Sequence, residues 1–326
     1  MRDILLETKD LRVCFKSDTG VTRAVDGVSF RVEQGKVLGI VGESGSGKSV
    51  TSLSVMQLVP KPNGYIEAGQ ILFHGEDLMK KSEKEIRKIR GNKIAMIFQE
   101  PMSSLNPVFS IGDQLGEALK LHQGISGAEN RKRCAEMLEM VRIADPEKML
   151  KRYPHELSGG MRQRVMIAMA ILCDPELMIA DEPTTALDVT IQAQILQLLR
   201  ELQQKRRMSI MFITHDLGVI AEIADRVAVM YAGRIVEEAD VKTLLRTPRH
   251  PYTRGLIDAI PENYDSELGF RSIPGMQPNA GAVSVGCSFA PRCVYATQEC
   301  TQAVPALKEV AQEHTVRCIR CEKGEI

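Results

Sequence analysis

Residues 42–49 read Gly42-Glu43-Ser44-Gly45-Ser46-Gly47-Lys48-Ser49, which fits the spacing G-x-x-x-x-G-K-[ST], and they follow directly on the apolar run Val37-Leu38-Gly39-Ile40-Val41. Such a loop belongs where a strand hands over to a helix, so the motif calls for an α/β domain. Glycines lack a Cβ and let backbone N–H groups close around phosphate oxygens, while the following helix adds the partial positive charge of its N-terminus. Lys48 is placed to reach the β and γ oxygens and the Ser49 hydroxyl to ligate Mg²⁺. A Gly/Ser-rich loop is usually only a turn. Lys-Ser in register behind an apolar strand leaves little room for that reading, and nucleotide binding is the first implication.

The whole chain narrows the classes further. Its 326 residues suit one large α/β domain with a smaller appendage. Lys+Arg and Asp+Glu both number 42, so no global field draws the protein to nucleic acid. The longest apolar runs, such as Met166 to Cys173, fall short of the about 18 residues that suggest a membrane span, and the N-terminal residues lack the apolar core of a signal peptide. A cytoplasmic chain is expected. There its eight cysteines are poor candidates for a disulfide framework.

Alternating apolar positions in residues 1–36 (Leu11, Val13, Phe15; Val28, Phe30, Val32) predict antiparallel strands around a turn at Ser17-Asp18-Thr19-Gly20. Short apolar strands are expected at 94–98, 177–180, 210–214, 227–231 and 234–237, and Ile191, Ile195, Leu198, Leu199 and Leu202 mark one face of a helix. The alternation implies a mainly parallel sheet covered on both faces. Residues 101–165 lack a strand pattern and read as a helical insertion, and prolines become frequent beyond Thr247. The expected organisation is therefore an α/β domain over 1–250, with an antiparallel N-terminal β subdomain and the helical subdomain inside it, and a small cysteine-bearing module over 251–326.

Two segments complete a phosphate site. Leu177-Met178-Ile179-Ala180 delivers Asp181 and Glu182 at a strand end, where a Mg²⁺ ligand and a water-activating carboxylate belong; an acidic helix cap before Pro183 is the bland alternative. In Leu157-Ser158-Gly159-Gly160-Met161-Arg162-Gln163, Ser158 can cap a helix whose glycines admit an anion at its N-terminus.

With that segment the sequence resembles the ATP-binding-cassette (ABC) ATPases, whose signature is L-S-G-G-x-x-Q just before the acidic strand. The resemblance extends to Phe15, matching the aromatic that stacks on adenine, to Gln99, matching the glutamine that senses Mg²⁺ and the attacking water, to Asp188 in the loop crossing the dimer interface, and to His215, matching the histidine at the γ-phosphate. Taken singly, Phe15 also reads as core filler, Gln99 as a strand end and His215 as a loop histidine. The resemblance implies ATP hydrolysis with Mg²⁺ held by Ser49, Gln99 and Asp181, and with Glu182 as general base. It also implies that Leu157, Ser158, Gly159, Gly160 and Gln163 close over ATP held by a second ABC subunit.

A single phosphate loop, no coiled coil and no membrane helix favour a detached importer ATPase. Residues 99–107, 181–190 and His250-Pro251-Tyr252-Thr253 resemble the peptide-importer ATPases, with nickel, glutathione and opine importers sharing much of the pattern. This resemblance implies a homologous second ATPase subunit, two membrane permeases, an extracytoplasmic substrate-binding protein, and a peripheral position on the cytoplasmic face of the inner membrane. A cytoplasmic ABC regulator with a metal-sensing tail is the alternative from another class.

Cys287, Cys293, Cys300, Cys318 and Cys321 crowd the C-terminal region, while Cys14, Cys134 and Cys173 are scattered. Four thiolates suit tetrahedral zinc or an iron–sulfur cluster, and spacing alone separates neither. The family resemblance implies a [4Fe–4S] cluster on Cys287, Cys293, Cys300 and Cys318, with Cys321 able to replace Cys318; unligated cysteines are the bland alternative.

Overall fold

The computed structural model describes residues 3–18, 20–99, 104–185, 187–260, 273–278 and 285–326. They form two compact units. One comprises Ile4–Glu33, Val37–Met79 and Phe212–Ile326; the other comprises Met1–Asp3, Gln34–Lys36 and Lys80–Met211. We call them the phosphate-loop unit and the helical unit.

In the phosphate-loop unit, β1 (Ile4–Ser17) and β2 (Gly20–Glu33) form the expected antiparallel pair. The sheet is completed by β4 (Gly64–Phe73) and β5 (Glu76–Asp77), giving the order β2-β1-β4-β5. The β4 strand carries Glu67, Gly69 and Gln70 among its apolar residues, and this interrupted alternation hides it from the sequence pattern. The second sheet of this unit runs β11 (Lys308–Ala311), β12 (His314–Val316), β10 (Arg234–Asp240), β9 (Arg226–Tyr231), β3 (Val37–Val41). It is mixed: β3 and β9 pair in parallel, and the pairs beyond β9 are antiparallel. Every residue of β3 is buried, as a strand covered on both faces requires. Full burial of side chains such as Ile40 and Val41 contributes roughly 1.5–3 kcal/mol each.

The helical unit contains the parallel pair β6 (Ile94–Ile97) and β7 (Leu177–Asp181). Between them in sequence lie helices at Ile111–Gln123, Gly127–Met140, Pro146–Met149 and Gly159–Ile171. Helix Val189–Arg206 follows β7 and buries Ile195, Leu198, Leu199 and Leu202, while Ile191 is only half-buried. Strand β8 (Ser209–Thr214) begins in this unit and ends in the other. Cys14, Cys134 and Cys173 are buried and pack as small apolar residues. Among the described residues no helix is long and apolar enough to cross a membrane.

Candidate nucleotide site and cysteine module

The phosphate loop is built as its sequence demands. It leaves β3 and enters helix Lys48–Val55, whose N-cap Gly47 has φ 100°, a backbone that side chains rarely adopt. Gly42 is required for space, because a Cβ there would lie 2.2 Å from the Met230 carbonyl oxygen. Lys48 is buried across the loop, its Nζ donating to the carbonyls of Gly42 at 2.7 Å and Glu43 at 3.0 Å. The helix has no acidic residue in its first turn, so its N-terminal field is uncompensated. Ser46 is buried, Ser49 is half-buried, and Ser44 and Gly45 are exposed on the loop's outer arc. His215 is exposed immediately beyond β8, where Asp216 caps the helix Leu217–Ile223. Phe15 is half-buried on β1, opposite Gly64, where any Cβ would collide with its ring at 2.8 Å.

In the helical unit, the register of β6 and β7 pairs Ile97 with Ala180. Two residues further on, that register sets Gln99 beside Glu182, and the Gln99 amide donates to Glu182 Oε2 at 3.4 Å. The Thr185 hydroxyl donates to the same oxygen at 2.9 Å. Glu182 has φ 48°, a left-handed backbone that costs on the order of 1 kcal/mol for a residue with a side chain. Such strain is held where surrounding structure fixes it, and here it turns the carboxylate off the strand end. Asp181 is buried at the end of β7. Ser158 caps helix Gly159–Ile171 by accepting from the Met161 amide at 3.4 Å, and this helix too has no acid in its first turn. Gly160 leaves room for Ile191, which a Cβ would meet at 3.0 Å. Leu157 is buried, and Gln163 is fully buried with neither end of its amide hydrogen-bonded. Asp188 caps helix Val189–Arg206 through the Ile191 amide at 2.9 Å.

In the C-terminal module, Cys287, Cys293, Cys300 and Cys318 line one apolar-walled cavity with Phe289 and Ile319. Cys321 is absent from that lining, and its thiol donates to the Arg249 carbonyl at 3.0 Å. The neighbouring Cys321 side chain lowers the Cys318 thiol below the ordinary thiol range, whereas burial pushes Cys293 up to about 11. Among the described residues no three His, Cys, Asp or Glu side chains converge to hold a single metal ion.

Several functional neighbours are not legible in the sequence. Thr185 lies in the 181–190 stretch, yet nothing in its local pattern marks it as the donor to Glu182. Arg292 forks onto the Glu43 carboxylate at 2.7 and 3.0 Å, and Tyr252 accepts from the Glu43 amide at 2.9 Å. The His250-Pro251-Tyr252-Thr253 motif is plain in the sequence, and the structure gives it work: His250 Nδ1 caps its helix by accepting from the Tyr252 amide at 3.1 Å. The buried Glu237 carboxylate accepts from the amides of Arg249 and His250 and sits 2.7 Å from His314 Nε2. Met102, from the segment after Gln99, and Ala186 lie outside the described residues, and Leu105 is a core residue only 2 % exposed.

A loop–helix phosphate site, a capped signature helix and a strand-end glutamate beside a glutamine define an ABC-type ATPase. Comparisons with known proteins agree. The ABC transporter family model matches residues 25–185, and the model of the oligopeptide/dipeptide transporter C-terminal region matches residues 236–300. The chain is 52% identical to the oligopeptide transport ATP-binding protein OppD of Bacillus subtilis, over 96% of this chain and 88% of that one. It is 51% identical to the dipeptide transport ATP-binding protein DppD of Escherichia coli, over 96% of both chains. Among solved structures, the dimeric cassette MJ0796, described as a bacterial ABC transporter cassette, superposes with a TM-score of 0.65 at 28% identity, covering 73% of this chain and 99% of that one. A post-hydrolysis state of that cassette, bound to ADP and Pi, gives the same values. The chain belongs to the ATP-binding subunits of the oligopeptide/dipeptide importer family of ABC transporters.

Proposed function

We propose that this chain is the ATPase subunit that drives uptake of di- or oligopeptides through an ABC importer, sitting peripherally on the cytoplasmic face of the inner membrane. The match of residues 236–300 to the C-terminal region of oligopeptide and dipeptide transporters is the observation that carries the importer reading over a soluble regulator. The chain divides, in this reading, into a nucleotide-binding domain over 1–250, with its helical subdomain near 101–165, and a C-terminal module over 251–326.

Gly42 to Ser49 wrap the phosphates, Lys48 neutralises β and γ oxygens, and Phe15 offers a ring face to the base. Ser49, Gln99 and Asp181 would supply hard oxygen donors to Mg²⁺, which would neutralise phosphate charge. Glu182 takes a proton from the attacking water while the bond from the γ-phosphorus to the bridging oxygen breaks and ADP leaves. Gln99 and Thr185 orient the Glu182 carboxylate, and His215 contacts the γ-phosphate. The Ser158 helix, through Leu157, Ser158, Gly159, Gly160 and Gln163, faces nucleotide held by a second, homologous subunit, with Asp188 at that interface. Attraction of γ-phosphate to the opposing helix N-terminus closes the pair, and phosphate loss releases it. Closure is transmitted to two permease subunits, which receive peptide from an extracytoplasmic binding protein.

The cysteine module fits a [4Fe–4S] cluster on Cys287, Cys293, Cys300 and Cys318. The sharing of one cavity by these four cysteines supports that reading, and the position of Cys321 outside it supports the set containing Cys318. When bound, such a cluster supplies a one-electron redox couple and ties distant cysteines of the module together.

The test is ATP-driven uptake into vesicles by the complex purified with its permeases and binding protein, scored against dipeptides, longer peptides, glutathione and nickel. Peptide-specific uptake is the expected result. Uptake of nickel or glutathione alone would reassign the cargo, and purification without permeases would remove the importer reading.

A further inference from the structure

The phosphate loop is gripped from outside by the C-terminal module. Glu43 and Ser44 are the two residues of its outer arc that the glycines do not govern. The Glu43 carboxylate accepts both arms of the Arg292 guanidinium, at 2.7 and 3.0 Å, although the two residues are 249 apart in sequence. Only 7 % of the Arg292 side chain is exposed. Its Nε donates to the Pro274 carbonyl at 2.8 Å, and its guanidinium lies over the rings of Tyr231 and Phe289 at 5.9 and 6.0 Å. The fork is therefore fixed before it meets the carboxylate. The Tyr252 hydroxyl accepts from the Glu43 amide, and Gln277, with its amide oriented to satisfy both neighbours, donates to the Ser44 carbonyl at 2.9 Å while accepting from Ala232 at 3.2 Å. A residue that merely docked the module would not need a bidentate bond to the one acidic side chain in the loop.

We propose that Arg292 is a positioning residue for nucleotide: acting through Glu43, the cysteine module sets the shape of the phosphate loop and hence its affinity for ATP and ADP. The proposal rests on the reading of residues 42–49 as the phosphate site. Pairing with Arg292 fixes the arc, so loss of either partner loosens the same stretch of loop backbone. Arg292 immediately precedes Cys293, so the conformation of the cysteine cavity and the direction of the guanidinium are set by the same short segment.

The experiment measures the Kd of the full-length chain for a fluorescent ATP analogue and for MgADP, with thermal midpoints alongside. Arg292→Met keeps the apolar stem against Tyr231 and Phe289 but removes the fork, and is expected to weaken both ligands by about tenfold, the scale of one charge-assisted bond. Glu43→Gln should weaken them to a similar extent, Arg292→Lys should fall between, and the double variant Glu43→Gln/Arg292→Met should be no weaker than Arg292→Met alone. Affinities within twofold of the parent in both single variants, or losses that multiply in the double, would overturn the proposal. Should Arg292→Met fail to fold, Glu43→Gln at its partly exposed position decides the matter alone: a loss near tenfold supports the positioning role, and an affinity within twofold of the parent overturns it. Lys48→Ala separates the two readings: loss of binding there with normal binding in Arg292→Met defeats only the positioning role, whereas unchanged binding in Lys48→Ala defeats the phosphate site itself.

Discussion

Gln99 and Glu182 are side by side because β6 and β7 are parallel and in a register that pairs Ile97 with Ala180. The amide-to-carboxylate distance of 3.4 Å follows from that pairing two residues later. Glu182→Gln keeps the shape and the bond from Thr185 while removing the carboxylate proposed as general base. We expect this variant to bind ATP with unchanged affinity and to lose about 10²–10⁴ in kcat within the assembled complex. Near-normal steady-state hydrolysis by that complex would remove Glu182 from the role.

The glycines of the phosphate loop are required for different reasons, and this is measurable. Gly42→Ala drives a Cβ to within 2.2 Å of the Met230 carbonyl, which is held in β9, whereas Gly45→Ala meets open space but must adopt φ 81°. Gly42→Ala should cost about 3 kcal/mol by overpacking, and Gly45→Ala about 1 kcal/mol by backbone strain. Urea unfolding of the two variants checks the order; a larger loss in Gly45→Ala would contradict it.

Glu238 gives stability a pH dependence. Burial raises its carboxyl pKa against the opposing pull of Arg226, 3.2 Å away, and of Arg31. A carboxyl raised in the folded state contributes stability below its unfolded value, about 4.3, that is lost as pH rises through the folded value. Glu238→Gln keeps an acceptor for Arg226, which also pairs with Glu313 at 3.3 Å. The variant should flatten the thermal-midpoint profile above pH 4.3 and gain a few tenths of a kcal/mol at neutral pH. A steeper profile in the variant would show that the ion pair outweighs burial.

Anaerobically purified protein should carry about four irons and four sulfides per chain, the stoichiometry of a [4Fe–4S] cluster. Cys318→Ser should abolish both, and Cys321→Ser, which lies off the cavity, should retain most of them. One zinc per chain without sulfide would replace the cluster by a zinc site, and equal loss in both variants would make Cys321 a ligand.

Elements whose apolar periodicity is unbroken, such as β3, β7 and helix Val189–Arg206, are legible from residues alone, because burial on one or both faces writes itself into local composition. The Ser158 cap is legible for a similar reason: a capping side chain acts within three residues of its own position. Strand β4 is hidden because Glu67 and Gln70 break its alternation. Thr185 is hidden because its bond depends on the left-handed turn at Glu182, a conformation no side chain there announces.

By itself the sequence determined the strand–loop–helix around residues 42–49, the capped helix after Ser158 and the acidic strand end, since each is a contiguous run whose chemistry acts locally, and it pointed to the importer family through resemblance. Only the tertiary structure decided which cysteines share a cavity, that Gln99 meets Glu182, and that Arg292 holds Glu43 from 249 residues away. Strand register and side-chain reach create those contacts, and neither is encoded in the spacing of residues along the chain.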